Sequence, residues 1–239
     1  MKSAICLPSP RAILFDLDGT LADTAPDLAA AVNKLRVARG LDPTPYALLR
    51  PVASAGARGL IGAAFELDPG DEGYEDLRNG FLDNYAAAIA IESQLFDGIP
   101  MLLERLGQYN LQWGIVTNKA ARFTDLLVPQ IGLQDAGCVI SGDTTAHPKP
   151  HSAPLLEAAR RLNLAPQDCW YVGDDLRDIQ AGQAAGMPTI AAGWGYCGNI
   201  EPGAWGADAL AATVLDLLDL IDRHRAFNSA ASAASGATQ

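Results

Sequence analysis

Two carboxylates stand one residue apart where an apolar run ends. Asp16 and Asp18 lie inside the stretch "AILFDLDGTLADT", residues 12–24, with Gly19 and Thr20 directly after them. Like charges this close destabilise each other unless a cation or a shared proton relieves them. Mg²⁺, hard and oxygen-seeking, does this well. An aspartate carboxylate is also a competent nucleophile toward phosphorus. A second carboxylate two residues on, kept partly protonated, suits a general acid and base. Glycine at position 19 lets backbone amides approach an oxyanion closely. The competing reading is a solvated turn after a strand, where Asp and Gly are common.

Three further clusters carry the same kind of residue. Thr117 and Asn118, in "GIVTNKA", fit either a helix cap or a grip on phosphate oxygens. Lys149 sits between prolines in "AHPKPHSAP". It is either an exposed lysine or a rigid cation that offsets the aspartates and stabilises a transferring phosphoryl group. Asp174, Asp175 and Asp178 crowd into "YVGDDLRDIQAG". Helix capping explains such a cluster, and so does a second contribution to a metal site. Asp174, nearest the apolar run, is the leading metal-ligand candidate. Asp178, one helical turn on, is placed to orient Lys149, and Asp175 is expected to point outward.

The elements that must position these residues follow from the hydrophobic pattern. Residues 11–16 read as a buried strand, and 111–117, 138–141, 169–173 and 188–192 as four more. Helical segments of ten to fifteen residues separate the later strands, the signature of a parallel sheet with helices on both faces. The fold class expected is therefore α/β, a doubly wound, Rossmann-like parallel sheet. Between the first strand and the rest lies an Ala- and Leu-rich helical span, opened by a cap at Asp23 or Thr24 with Pro26 in the first turn. Residues 11–20 and 96–225 are assigned to the core, 21–95 to an inserted all-α cap, and 226–239 to a disordered tail. Ligands of open parallel sheets bind beyond the carboxyl ends of the strands. Asp16, Asp18, Thr117 and Asp174 all fall at such ends and converge on one mouth.

These clusters, in this order, resemble the haloacid dehalogenase superfamily of hydrolases. The matching residues are "DLDGT", Thr117 in "VTN", Lys149 in "HPKP" and "GDDLRD". The resemblance covers all but the first ten residues and the tail. It implies that Asp16 attacks a phosphate monoester to form an aspartyl-phosphate. Asp18 would protonate the leaving alcohol and then activate water, while Thr117 and Lys149 grip the phosphoryl oxygens. It also implies Mg²⁺ held by the Asp16 carboxylate, the Asp18 backbone carbonyl, Asp174 and waters. The helical insertion resembles the small cap of phosphoglycolate-phosphatase-like members, which closes over the mouth. Within it Arg58, and more weakly Arg50, suit an anionic substrate, although a helix-start arginine facing solvent is the alternative. "DTAPDL" and "YVGDDLRDIQAGQAAGMPTIAAGWGY" look equally like N-acetylmuramic acid 6-phosphate phosphatases. The expected substrate is 2-phosphoglycolate, with N-acetylmuramic acid 6-phosphate or a phosphomutase reaction as alternatives. A phospho-receiver module would lack the second aspartate and the helical insertion.

Composition agrees with a folded chain of this kind. Of 239 residues, 49% are hydrophobic and 19% charged, and the net charge of −11 argues against nucleic acid or an anionic membrane as partner. The four cysteines form no CxxC and are expected to be buried free thiols. With no signal-like segment and no long apolar run, the expectation is a cytoplasmic monomer or dimer acting on a small phosphorylated metabolite. His147 flanks Lys149, and Trp194 and Tyr196 in "GWGYCG" are candidates to line the mouth.

Overall fold

The computed structural model describes residues 7–236, with side chains as far as Arg225. The chain enters the core through β1 (Ala12–Phe15), four consecutive fully buried apolar residues, the pattern of a strand covered on both faces. A two-residue strand, β2 (Ala22–Asp23), leads into four helices: α1 (Ala25–Ala38), α2 (Tyr46–Leu49), α3 (Gly56–Phe65) and α4 (Tyr74–Ala86). The strand β3 (Gln94–Leu95) pairs antiparallel with β2, so the helical layer leaves and re-enters the core through one two-stranded neck. The buried Asp27 carboxylate reinforces this neck by accepting the backbone N–H groups of Ile91, Glu92 and Ser93 at 2.8–3.1 Å.

Helix and strand then alternate as far as β7: α5 (Ile99–Gln108), β4 (Gln112–Val116), α6 (Ala121–Gln130), β5 (Val139–Ile140), α7 (Ala153–Arg161), β6 (Cys169–Gly173), α8 (Leu176–Ala185) and β7 (Thr189–Ala192), after which come β8 (Ala209–Ala211) and α9 (Val214–Gly236). Among the described residues, six strands form a parallel sheet in the order β5-β4-β1-β6-β7-β8. The side-chain period of two splits β1 between two cores. Ile13 and Phe15 join the cluster that holds Leu102 of α5 and Leu217 of α9. Ala12 and Leu14 join the opposite cluster, with Leu155 of α7 and Ala181 of α8. The α/β architecture with an inserted helical cap is as the sequence predicts.

Three elements lie outside the sequence expectation. Strand β8 has only three residues and owes its extended form to pairing with β7 rather than to propensity. Helices α5 and α9 pack against each other beside the sheet. The tail expected to lack structure from residue 226 continues helix α9 in its backbone to Gly236. Extending an existing helix through "AASAAS" needs no new nucleus, and alanine has the highest helix propensity. Residues 237–239 lie outside the described residues, as does Cys6. The other cysteines are free thiols, Cys138 and Cys169 buried and Cys197 half-buried.

Candidate active site

The register of the sheet assembles the site. In β1, Phe15 is level with Ile115 of β4 on one side and Val172 of β6 on the other. Asp16 directly follows Phe15, while Thr117 and Asp174 lie two residues beyond Ile115 and Val172, so all three emerge at the carboxyl edge. The Asp16 backbone N–H still bonds the Val172 carbonyl at 2.9 Å, and that of Thr117 bonds Ile140 at 2.9 Å. Each side chain thus leaves from a fixed strand end.

Lys149 anchors the acidic centre. Its Nζ lies 2.8 Å from Asp16 Oδ1 and 2.7 Å from Asp178 Oδ1, and also donates to the Val116 carbonyl and the Tyr171 hydroxyl, both at 2.8 Å. Burial works against its charge, but the two carboxylates outweigh it and hold the ammonium above its ordinary pKa. The lysine backbone is held in turn by Asn118, whose Nδ2 donates to the Lys149 carbonyl and whose Oδ1 accepts the Lys149 N–H, each at 2.9 Å. The Asn118 side chain is thereby committed to positioning the lysine. Asp178, the residue the sequence suggested for orienting Lys149, lies against that lysine. It bonds Lys149 and the Tyr171 hydroxyl, and it closes a capping box with Asp175 at the start of α8. Asp175 pairs with Arg177 at 2.8 Å at the cavity edge.

Asp16, Asp174 and Asp178 offer carboxylate oxygens all within 4.8 Å of one another. Burial, with Lys149 opposing and Asp178 reinforcing, pushes the Asp16 carboxyl up to about 7. Burial and the neighbouring Asp16 and Asp178 raise Asp174 well above the usual carboxylate range. One ammonium does not neutralise three buried carboxylates, and a hard divalent cation fits the oxygen donors present. Asp174 is held rigidly by Thr20 Oγ1 (2.9 Å), the Tyr196 N–H (2.9 Å) and the cap residue Ser54 (3.2 Å). Two glycines make room for it. A Cβ on Gly19, whose φ is +89°, would lie 2.1 Å from Asp174 Oδ2, and one on Gly195 would lie 2.3 Å from Asp174 Cβ.

Asp18 stands apart from that cluster. It accepts a hydrogen bond from the Thr24 hydroxyl and pairs with Lys119 at 3.0 Å. Thr24 therefore does not cap α1 with its side chain. The Ala25 N–H bonds the Tyr196 hydroxyl at 2.9 Å instead. Lys119 is absent from the sequence expectations, although it adjoins Thr117 and Asn118 in "VTNKA" and is almost fully buried. Burial opposes its charge, but the Asp18 carboxylate, with the Tyr85 oxygen second, holds its pKa above the ordinary value, and the ammonium lies 4.6 Å from the centre of the Tyr85 ring.

A cavity of about 370 Å³ opens over these groups between sheet and cap. Asp16, Asp18, Thr117, Asn118, Lys119 and Lys149 line one side, and Leu28, Ser54, Tyr74, Phe81 and Tyr85 the other. Arg58 lines it too, but its side chain is 73% exposed and lies 3.9 Å from the exposed Asp68, which puts it at the rim. Arg50 lies elsewhere. It donates to the Gly195 carbonyl at 3.3 Å, approaches Asp23 at 3.9 Å and covers the Tyr196 ring at 4.9 Å, tying the cap to the core loop. Trp194 bonds the Thr20 carbonyl at 2.9 Å from that same loop. Tyr74, Tyr85, Tyr171, Ser54 and Arg177 carried no signal in the sequence, because only the fold brings them to the strand ends.

A parallel sheet with a buried acidic centre at its carboxyl edge and a helical layer above it defines a doubly wound α/β enzyme core with an inserted cap. A family model described as haloacid dehalogenase-like hydrolase matches residues 13–192, and the chain belongs to that family. It is 50% identical over 204 residues to a phosphoglycolate phosphatase of Xanthomonas campestris, covering 84% of this chain and 91% of that one. It is 42% identical over 214 residues to an N-acetylmuramic acid 6-phosphate phosphatase of Pseudomonas putida, covering 89% and 96%. Among solved structures, a predicted phosphoglycolate phosphatase of Haemophilus somnus superposes with a TM-score of 0.79 at 25% identity, over 90% of this chain and 99% of that one. The chain is an enzyme of the phosphatase branch of this family. No helix among the described residues is long and apolar enough to cross a membrane.

Proposed function

We infer that the enzyme hydrolyses a small anionic phosphate monoester through an aspartyl-phosphate on Asp16, and that 2-phosphoglycolate is its substrate. The observation that carries this reading is the buried Asp16 carboxylate, 2.8 Å from Lys149 and grouped with Asp174 and Asp178. Asp16 attacks phosphorus, the bond from phosphorus to the ester oxygen breaks, and Asp18 gives that oxygen its proton. Water then attacks the aspartyl-phosphate, Asp18 takes the water proton, and inorganic phosphate leaves with Asp16 restored. Thr117, the backbone at Gly19 and Lys149 hold the phosphoryl oxygens, with Asn118 and Asp178 fixing the lysine. Mg²⁺, held by Asp16, Asp174 and the Asp18 carbonyl, would supply positive charge to the phosphoryl group. Residues 21–95 act as the cap that excludes water, and Arg58 at its rim attracts the anionic substrate.

The 50% identity to a phosphoglycolate phosphatase supports this substrate. The N-acetylmuramic acid 6-phosphate reading rests on the second relative, matched over 96% of its length. Comparing kcat/KM for 2-phosphoglycolate, N-acetylmuramic acid 6-phosphate and hexose phosphates, with Mg²⁺ and with EDTA, separates the two. Asp16→Asn is expected to abolish turnover of every ester. Appreciable Mg²⁺-dependent activity in that variant would overturn the nucleophile assignment.

A further inference from the structure

Among the described residues, the hydroxyl of Tyr85 is the one buried side-chain polar atom with no hydrogen-bond partner. Tyr85 is 1% exposed, comes from cap helix α4 and lines the cavity. Its ring is fixed by Phe81, stacked at 6.4 Å, and by Phe123, tilted at 5.4 Å. The Lys119 ammonium lies over the ring face, 4.6 Å from its centre, where it attracts the Tyr85 oxygen electrostatically but makes no hydrogen bond of regular geometry to it. Burying a hydroxyl without a partner is unfavourable, and phenylalanine would pack against the same rings without that cost. A hydroxyl kept in such a place points to a partner that arrives in the cavity.

The surroundings say where on a substrate that partner lies. Lys119 bridges Tyr85 to Asp18, 3.0 Å away. If Asp18 hands its proton to the ester oxygen, atoms attached to that oxygen pass beside Lys119 and Tyr85. We propose that Tyr85, with Lys119, recognises the organic half of the substrate by hydrogen-bonding an oxygen acceptor close to the ester oxygen. The substrate class is a short phosphorylated acid, whose carboxylate accepts from both groups. This inference rests on the phosphatase reading above and adds a specificity-determining residue from the cap.

The test compares wild type and Tyr85→Phe on 2-phosphoglycolate and on ethyl phosphate, which has the same two carbons and no carboxylate. Losing one hydrogen bond to a charged acceptor should lower the ratio of the two kcat/KM values by roughly tenfold or more, chiefly through KM for 2-phosphoglycolate. The thermal midpoint of Tyr85→Phe should not fall, because the hydroxyl has no partner within the protein. An unchanged ratio, equal losses on both esters or a lowered midpoint would each overturn the inference while leaving the phosphatase reading intact. A wild type inactive on every phosphate ester would overturn the phosphatase reading itself, and this inference with it.

Discussion

Replacing Lys149 by methionine keeps the length of the side chain and removes its charge. The ammonium is 2% exposed, and its carboxylate partners Asp16 and Asp178 are 10% and 1% exposed at 2.8 and 2.7 Å. Removing one member of a buried ionic network costs about 3–5 kcal/mol, because the remaining charges stay behind uncompensated. The same pair on the surface would be worth roughly 1 kcal/mol or less. The penalty depends on pH. Burial already pushes Asp16 up to about 7 despite the attraction of Lys149, and without the lysine it goes higher. An acid whose pKa is higher folded than unfolded binds more protons in the native state. Its favourable contribution is complete below the ordinary value of 3.8 and is lost as pH rises through the folded value. At pH 8 the Lys149→Met protein therefore carries the whole penalty. Near pH 5 a proton on Asp16 stands in for the missing cation. Urea unfolding in EDTA should give a deficit of about 3–5 kcal/mol at about pH 8 and less than half of that near pH 5. Asp178→Asn in the same background should recover part of the loss, since one stranded charge is gone. A deficit under about 1 kcal/mol at pH 8, or one equal at both pH values, would refute the reasoning from burial.

Gly19→Ala puts a Cβ 2.1 Å from Asp174 Oδ2 at a φ of +89°. Backbone strain of about 1–3 kcal/mol and displacement of the Asp174 carboxylate should lower the thermal midpoint and weaken the rise in midpoint on adding Mg²⁺. A variant that melts and responds to Mg²⁺ like wild type would remove Gly19 from the site. Arg58→Ala should raise KM for 2-phosphoglycolate more than for p-nitrophenyl phosphate. Because Arg58 is 73% exposed at the rim, the effect should shrink as salt screens it, and equal changes on both esters would make it a surface residue.

Much of the chemistry was legible in the sequence because it is local. Asp16, Asp18, Thr117 and Asp174 each follow or adjoin an apolar run, Lys149 is marked by its flanking prolines, and a parallel sheet brings the ends of such runs together. The strand–helix alternation and the placement of the helical span needed only hydrophobic periodicity and turn residues. The tertiary structure decided what depends on contact between distant segments. It made the Asn118 side chain a clamp on Lys149, 31 residues away, and tied Arg50 to the Gly195 carbonyl. It gave Asp18 its partners Thr24 and Lys119, and it set the unpaired Tyr85 hydroxyl against the cavity. No spacing rule relates residue 85 to residue 119, since each belongs to its own helix or loop by sequence. Only the packing of the cap on the sheet makes them neighbours, and burial then gives their polar groups their energetic weight.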